Sequence, residues 1–415
     1  MAVGVAGPRV PLFDVRLAEA EIEAVVGALE SGWLTMGPRT RAFEEAFAQY
    51  LGAAFGFAVS SGTAALHLAY LAAGVGPGDE VIVPSMSFVA TAAAVCYCGA
   101  VPVFAEILGA HDFGLDPEHV ASLITPKTKA VVAMHYAGYC ADLLGLSELC
   151  EQRGLVLLED AAHSPSAQPA AGAAKAGRWG LAGAFSFFSN KVLGSGEGGF
   201  ICTDDEPAAE LIQSRRSHGM TSGTWDRHNG HATSYDVLAL GYNYRLDEPR
   251  AALLHARLGS LEDDLAARRR LVHRYRRHLA EIEGVSVPYT DQQVEHSSCY
   301  VMPVVLADPQ AREPVRRAMA EEGVQTSVLY PAIHQFTAYQ NPLQPPLPKT
   351  ERAAQTQLTL PLYPHLSDTD QDHVIHALEH ALHTERTLAS EFHNSFTCRS
   401  PARPIVPSES AGSGR

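Results

Sequence analysis

Gly183-Ala184-Phe185-Ser186-Phe187-Phe188-Ser189-Asn190-Lys191-Val192-Leu193-Gly194-Ser195-Gly196-Glu197-Gly198-Gly199 sets one lysine between an aromatic, strand-like run and a glycine-rich turn. A lysine held against apolar groups loses part of its preference for the charged form. Its neutral amine can then attack a carbonyl and form a Schiff base. The glycines let the backbone turn tightly and approach a bound group. Most lysines are simply solvated, so this reading depends on what the rest of the chain brings to Lys191.

Upstream, Leu155-Val156-Leu157-Leu158-Glu159-Asp160 reads as a strand that ends on a carboxylate, with His163 just beyond. Open α/β sheets bind ligands at that strand end, where a carboxylate can keep a proton on a heteroaromatic ring nitrogen. A helix-capping aspartate and a surface histidine are the plainer alternatives. Residues 165–178, rich in alanine, glycine and proline, read as a loop into the lysine segment. Downstream, Phe200-Ile201-Cys202-Thr203 is a strand and 208–217 a helix. Residues 219–241 carry too many Gly, Ser, Thr, His and Asp for a regular element and read as an active-site or subunit-contact loop.

Nearer the N-terminus, 18–31 is predicted helical, with Ile22, Val25, Val26 and Leu29 on one side. A second amphipathic helix carries Phe43, Phe47, Tyr50 and Leu51, and Phe55–Val59 is a strand. Ser60-Ser61-Gly62-Thr63-Ala64-Ala65-Leu66 then opens a helix, and its free backbone N–H groups favour a phosphate. An ordinary serine cap is the plainer alternative. Val81–Pro84, Val101–Phe104 and Ala130–Met134 are short apolar runs of the kind found in buried parallel sheets. Phe88 is expected in the first turn of a helix over 86–98, where its ring can stack on a flat cofactor or simply fill the core. Strands alternating with helices predict an α/β core with a mainly parallel sheet.

Glu248 to about Arg277 is predicted helical, with an adjustment near Gly259, and the composition changes near 285. Strands at 285–287 and 299–306 and helices at 314–322, 351–358 and 370–388 predict a second, α+β domain. Tyr330-Pro331-Ala332-Ile333-His334 is its candidate for returning to the site. The expected organisation is a large domain over 1–260, a small one over 261–389 and a disordered tail over 390–415.

With 415 residues, 46% hydrophobic, the chain can bury a large core, and its net charge of −15 argues against a broad nucleic-acid surface. Arg268, Arg269, Arg270, Arg274, Arg276 and Arg277 are expected on a solvated helix face. Seven scattered cysteines suit a reducing compartment rather than a disulfide framework. Cys96 and Cys98 read as small buried thiols rather than metal ligands, and no metal is expected. Neither a signal-peptide core nor a membrane span is visible, so a cytoplasmic protein is expected.

A helix start near Thr63 for a phosphate, Asp160 for a ring nitrogen and Lys191 for a Schiff base suit one ligand, pyridoxal 5'-phosphate, whose protonated ring is an electron sink. The chain also resembles the DegT/DnrJ/EryC1/StrS sugar aminotransferases over about residues 10–388. Ser31-Gly32-Trp33-Leu34, Ser60 to Leu66, Gly78 to Pro84, Glu159 to His163, Phe185 to Lys191 and Gly241-Tyr242-Asn243-Tyr244-Arg245 carry the likeness, in the family's order.

The resemblance implies the fold-type-I aminotransferase architecture. It makes Lys191 the Schiff-base lysine and acid–base group, pairs Asp160 with the pyridinium nitrogen and lays Phe88 over the ring. Gly62, Thr63 and Ser186 would hold the phosphate, and His163 would lie by the ring. Asn243 would reach the phosphate of the neighbouring subunit's cofactor in a homodimer with shared sites. Arg245 and His334 are candidates for holding the amino donor or sugar.

The implied reaction moves an amino group from L-glutamate or L-glutamine, through pyridoxamine 5'-phosphate, to a ketosugar. The implied acceptor is a nucleotide-linked 3- or 4-keto-6-deoxyhexose, in aminosugar biosynthesis. An aminocyclitol aminotransferase acting on a keto-inositol, a non-sugar aminotransferase or lyase of this fold, and a regulatory protein that keeps the fold without turnover are the alternatives.

Overall fold

Short β-branched and aromatic runs that are apolar on both faces become strands only when both faces are covered. The computed structural model of the protein describes residues 7–397 apart from 222–224, 226–229, 231–233 and 342, and excludes the side chains of 388–397. The strands are β1 (Phe55–Val59), β2 (Glu80–Pro84), β3 (Val101–Ala105), β4 (Ile107–Gly109), β5 (Asp112–Leu115), β6 (Thr128–Met134), β7 (Val156–Asp160), β8 (Ala182–Ser186) and β9 (Gly199–Thr203). They continue with β10 (Val285–Ser286), β11 (Met302–Leu306) and β12 (Gln357–Leu360).

Seven strands form one sheet in the order β1-β9-β8-β7-β6-β2-β3. All neighbours from β8 to β3 run parallel, and β9 runs antiparallel to both β1 and β8. The expected mainly parallel α/β sheet is therefore present. Its register matters for function. Asp160 at the end of β7 lies between Met134 of β6 and Ala184 of β8, while Gly199 at the start of β9 pairs with both Val59 and Ser186. The ends of β1, β7 and β8 thus meet at one sheet edge, beside the turn that carries Lys191.

The helix Gly62–Ala72 begins at this edge and packs on β8 and β9. Its close approach requires glycine. A Cβ on Gly199 would lie 2.4 Å from the Ser61 carbonyl carbon, and one on Gly62 would lie 2.8 Å from Ser186 Cβ. Both distances are shorter than side chains tolerate, so the small residues bring the helix start against the end of β8.

A three-stranded antiparallel sheet, β10-β11-β12, lies beyond the helices Glu248–Leu258 and Leu261–Leu279. Val10 bridges in parallel to Val324, so the N-terminal segment joins this C-terminal part. One apolar cluster runs from Phe43, Phe47, Phe185 and Phe200 to Leu265, Leu271, Val304 and Leu378.

Several sequence expectations change here. The helix predicted over 248–277 is two helices that break at Gly259-Ser260. The loose region after β3 holds the β4–β5 hairpin, and residues expected to end a helix at 358 instead begin β12. The arginine cluster is a solvated face only in part: Arg270 and Arg277 are exposed, but the others are not. Arg268 is buried and donates to the carbonyl oxygens of Cys299, Tyr300 and Leu362, while Arg274 pairs with Asp372 and Arg276 with Asp291. Arg268, Arg274 and Arg276 thus tie the helix Leu261–Leu279 to neighbouring segments.

Cys96 is exposed and Cys98 half-buried, because they close the short helix Ala90–Tyr97 at the surface rather than in the core. The six cysteines among the described residues are free thiols. Residues 390–397 continue the helix Asp368–Thr397, and the remainder of the expected tail lies outside the described residues. The predicted loop at 219–241 is a ribbon where described, with Met220 bridged to Val237. Among the described residues no helix is long and apolar enough to cross a membrane, and no cluster of side chains suits a metal ion.

Candidate active site

The turn after β8 is folded back on itself. Lys191 N–H donates to Phe188 O at 2.9 Å, Ser195 N–H to Phe187 O at 2.8 Å and Phe187 N–H to Gly198 O at 2.9 Å. Lys191 is presented beside Tyr300, its Nζ 4.3 Å from the ring centre. The Tyr300 hydroxyl donates to Asn190 Oδ1 at 3.0 Å, which fixes that ring as a wall. Burial pulls the Lys191 amine down to about 7, against the opposing pull of the Asp160 charge. The result is an amine that is neutral in part near neutral pH, as a nucleophile requires.

Asp160 is 3% exposed, and burial raises its carboxyl above the usual carboxylate range. Opposing that shift, Thr91 Oγ1 donates to Oδ2 at 2.6 Å and Ala162 N–H to Oδ1 at 3.2 Å. The preceding residue, Glu159, faces the other side of the sheet. It accepts from the N–H groups of Gly177, Trp179 and Gly180 and from His135 Nε2. It anchors the loop between β7 and β8, so the two adjacent acids have separate tasks.

His163 is buried and its tautomer follows from its partners. A backbone N–H can only donate, so Nδ1 accepts from Ala137 N–H at 3.2 Å and the proton sits on Nε2, 3.0 Å from the Tyr330 hydroxyl. Burial lowers this imidazole well below its ordinary range, and the nearby Lys191 and His135 charges add to that effect. His163 is therefore a neutral donor at working pH.

At the helix start, the Ser61 side chain accepts from Ala64 N–H at 3.1 Å, so Ser61 is indeed a cap. The N–H groups of Gly62 and Thr63 belong to the first turn and have no partner within the helix, which favours an anion there. Phe88 precedes the helix Ala90–Tyr97 rather than lying in its first turn. The residue is 54% exposed, and its ring centre lies 5.8 Å from that of Tyr330.

Gly62, Thr63, Phe88, Asp160, His163, Ser186 and Lys191 all line one cavity of about 460 Å³. Asn243 and Arg245 lie outside that lining, and Asn243 is exposed on the chain's surface. His334, expected at the substrate, also lies outside it. Its ring is engaged at Nδ1 by Ser85 Oγ (2.7 Å) and at Nε2 by Glu351 (3.2 Å). Tyr330, from the same returning segment, is the residue that reaches the cavity. Sequence reasoning missed Thr91, Tyr300 and Glu197 as well. Thr91 lies three residues after the flagged Phe88 and Glu197 lies in the glycine-rich turn after Lys191, which were usable signals; nothing local marks Tyr300.

A stability prediction follows from Lys191. Folded, its amine loses its proton near pH 7; unfolded, near the ordinary 10.5. Between these values the unfolded chain binds more protons, so this residue's contribution makes stability rise with pH. In urea unfolding of the cofactor-free protein, Lys191→Met is expected to be the more stable chain below pH 7. That advantage should shrink as pH is raised above 7. A gap independent of pH would contradict the lowered amine.

Seven strands in this order, with the ends of β1, β7 and β8 converging on one lysine, are the architecture of fold-type-I aminotransferases. The family model of the DegT/DnrJ/EryC1/StrS aminotransferases matches residues 15–379, and the chain belongs to that family. It is 36% identical over 369 residues to the spore coat polysaccharide biosynthesis protein SpsC of Bacillus subtilis (strain 168), covering 87% of this chain and 94% of that protein. Among solved structures, the aminotransferase TlmJ from Streptoalloteichus hindustanus is 35% identical with a TM-score of 0.83, covering 91% of this chain and all (100%) of TlmJ. DesV of S. venezuelae, solved in complex with a ketimine intermediate, is 33% identical with a TM-score of 0.81, covering 90% and 99%.

Proposed function

We propose that this aminotransferase uses pyridoxal 5'-phosphate, alternating with its pyridoxamine form, to move an amino group from L-glutamate or L-glutamine to a nucleotide-linked 3- or 4-keto-6-deoxyhexose. The observation that carries this reading is that Lys191, Asp160 and the helix start at Gly62 and Thr63 share one cavity. SpsC's role in polysaccharide biosynthesis and the ketimine in DesV support it.

The residues present fit the cofactor. Gly62, Thr63 and Ser186 would hold the phosphate, Asp160 would pair with the ring nitrogen, Phe88 would cover the ring and Lys191 would be the lysine that anchors the cofactor. When bound, the cofactor supplies an electron sink for charge at the donor's α-carbon. Lys191 would take the proton from the donor's α-carbon and, in the acceptor half-reaction, deliver one to the ketosugar's reacting carbon, a task suited to an amine brought to about 7. Asp160 would serve the ring nitrogen as a carboxylate, and His163 donates its Nε2 proton to the Tyr330 hydroxyl.

We divide the chain at 260/261. On that division Lys191 and Asp160 belong to the larger part, and Tyr300 and Tyr330 reach the cavity from the smaller. The active unit is a homodimer with Asn243 serving the neighbouring subunit's cofactor. Supporting this, three of the four residues of the predicted apolar stripe, Ile22, Val26 and Leu29, are exposed and Val25 is half-buried, while Leu238 (73%) and Leu240 (86%) are exposed on the ribbon leading to Asn243. Arg245 is the substrate candidate kept from the sequence. Free thiols at all described cysteines suit a cytoplasmic location.

The test loads the purified protein with cofactor, converts it with L-glutamate or L-glutamine, and then offers nucleotide-linked ketosugars or free keto-inositols. Discharge by a nucleotide-linked sugar, with an aminosugar identified by mass and NMR, is expected. Discharge by the cyclitol alone would assign the acceptor to the aminocyclitol branch instead. No amino uptake from either donor would contradict the proposed donors.

A further inference from the structure

We propose that Thr91 and Ser87 form a hydroxyl relay that holds Asp160 as an oriented, ionised carboxylate for the cofactor's ring nitrogen, which makes Thr91 a positioning residue of the transamination. The inference rests on the reading of Asp160 as the ring-nitrogen partner. It adds residues that the sequence did not mark.

The proton positions follow from counting. Thr91 Oγ1 has one proton and three acceptors within reach, Asp160 Oδ2 at 2.6 Å, Ser87 Oγ at 2.7 Å and Phe88 O at 3.2 Å. A threonine hydroxyl bonded to the carbonyl three residues back is an ordinary helix feature. Here the contact to Asp160, 69 residues away in sequence, is much shorter than that to Phe88 O and has the length of a charge-assisted O–H···O⁻ bond. A carboxylate can only accept, whereas the Ser87 hydroxyl has a proton of its own to give. The Thr91 proton is thereby committed to Asp160. Ser87 Oγ lies 2.7 Å from Thr91 Oγ1, and with that proton spent Ser87 must be the donor. The relay therefore runs Ser87 to Thr91 to Asp160, and its polarity is fixed.

Its surroundings give it weight. Thr91 is 0% exposed and Ser87 1%, so water does not compete for these bonds. In such a setting hydrogen bonds in series strengthen one another. Each carboxylate oxygen has one fixed donor, Thr91 on Oδ2 and Ala162 N–H on Oδ1, and each keeps a lone pair for another partner. The plane of the carboxylate is thus set by two elements, the helix Ala90–Tyr97 and the backbone after β7. The titratable groups facing Asp160 are Lys191, His135, Tyr70 and Tyr330. Both tyrosine hydroxyls are pushed upward by burial, and the Lys191 amine is brought to about 7 by burial. Fixed neutral donors consequently do much of the work of keeping this buried acid ionised. Without them it would tend to hold a proton itself, and a neutral acid cannot keep the ring nitrogen protonated.

The test compares the full-length chain with Thr91→Val, which keeps the shape and removes the hydroxyl, Thr91→Ser, which restores it, and Asp160→Asn. In cofactor-free protein carrying aspartate labelled with carbon-13 at the carboxyl, the Asp160 signal is assigned by its loss in Asp160→Asn and followed against pH. Thr91→Val is expected to raise its titration midpoint by about one to two pH units. It should also slow the donor half-reaction of the loaded enzyme by roughly 10- to 100-fold. Thr91→Ser should restore both. An unmoved midpoint in Thr91→Val, with Asp160→Asn still slow, would overturn the relay and leave the role of Asp160 standing. A normal half-reaction in Asp160→Asn would overturn the ring-nitrogen reading and the relay's purpose with it.

Discussion

Lys191→Ala is expected to lower turnover by at least about 10⁴-fold, combining loss of the covalent anchor with loss of the acid–base group. The two losses separate experimentally. The variant should still take up the cofactor at the Gly62, Thr63 and Ser186 cradle, since none of those contacts uses the amine. It should lack the visible absorbance of a lysine-bound cofactor. A small primary amine added to the assay should restore part of the proton transfer, because the cavity of about 460 Å³ has room near the vacated side chain. Turnover like that of the unchanged enzyme would remove Lys191 from the chemistry.

Asp160→Asn should also be costly, though less so than Lys191→Ala, for an electrostatic reason. It keeps the size of the side chain and its place at the end of β7, but removes the charge that faces the ring nitrogen. Losing one preorganised electrostatic contact of this kind costs about 10²- to 10³-fold. The loss should fall on the first half-reaction, with cofactor attachment to Lys191 retained. It should also free Lys191 from the charge that now supports its protonated form, lowering that amine further. Stopped-flow measurement of the donor half-reaction checks both points, and an unchanged rate would sink the pairing.

The parts of the fold that sequence made legible are those whose signal is local. β2, β6 and β7 are apolar on both faces and need no partner to be recognised, and Asp160 is visible because it ends such a run. Gly62 and Lys191 stand out for the same reason, since the chemistry of a helix start or a lysine before a glycine turn lies in adjacent residues.

What stayed hidden depends on partners far along the chain. Glu248 caps the helix Pro38–Leu51 by accepting from the N–H groups of Gly37, Arg39 and Thr40, a link spanning more than two hundred positions. Arg268 looked like surface charge until the carbonyls of Cys299, Tyr300 and Leu362 closed around it. Ile22, Val26 and Leu29 have a sound helical period, yet that period does not say whether the chain's own core or another surface covers them. Tyr300 and Tyr330 could not be paired with Lys191 and His163 before the small sheet was in place. Thr91 needed the register of β7 to bring Asp160 within reach.

The most direct measurement reconstitutes the protein with pyridoxal 5'-phosphate, reduces it with borohydride and locates the added mass by peptide mass spectrometry, with and without prior exposure to the amino donor. The account predicts cofactor on the peptide containing Lys191, and its disappearance when L-glutamate or L-glutamine is added before reduction. Cofactor fixed to Lys175 or another lysine, or a Lys191 adduct that neither donor removes, would contradict it.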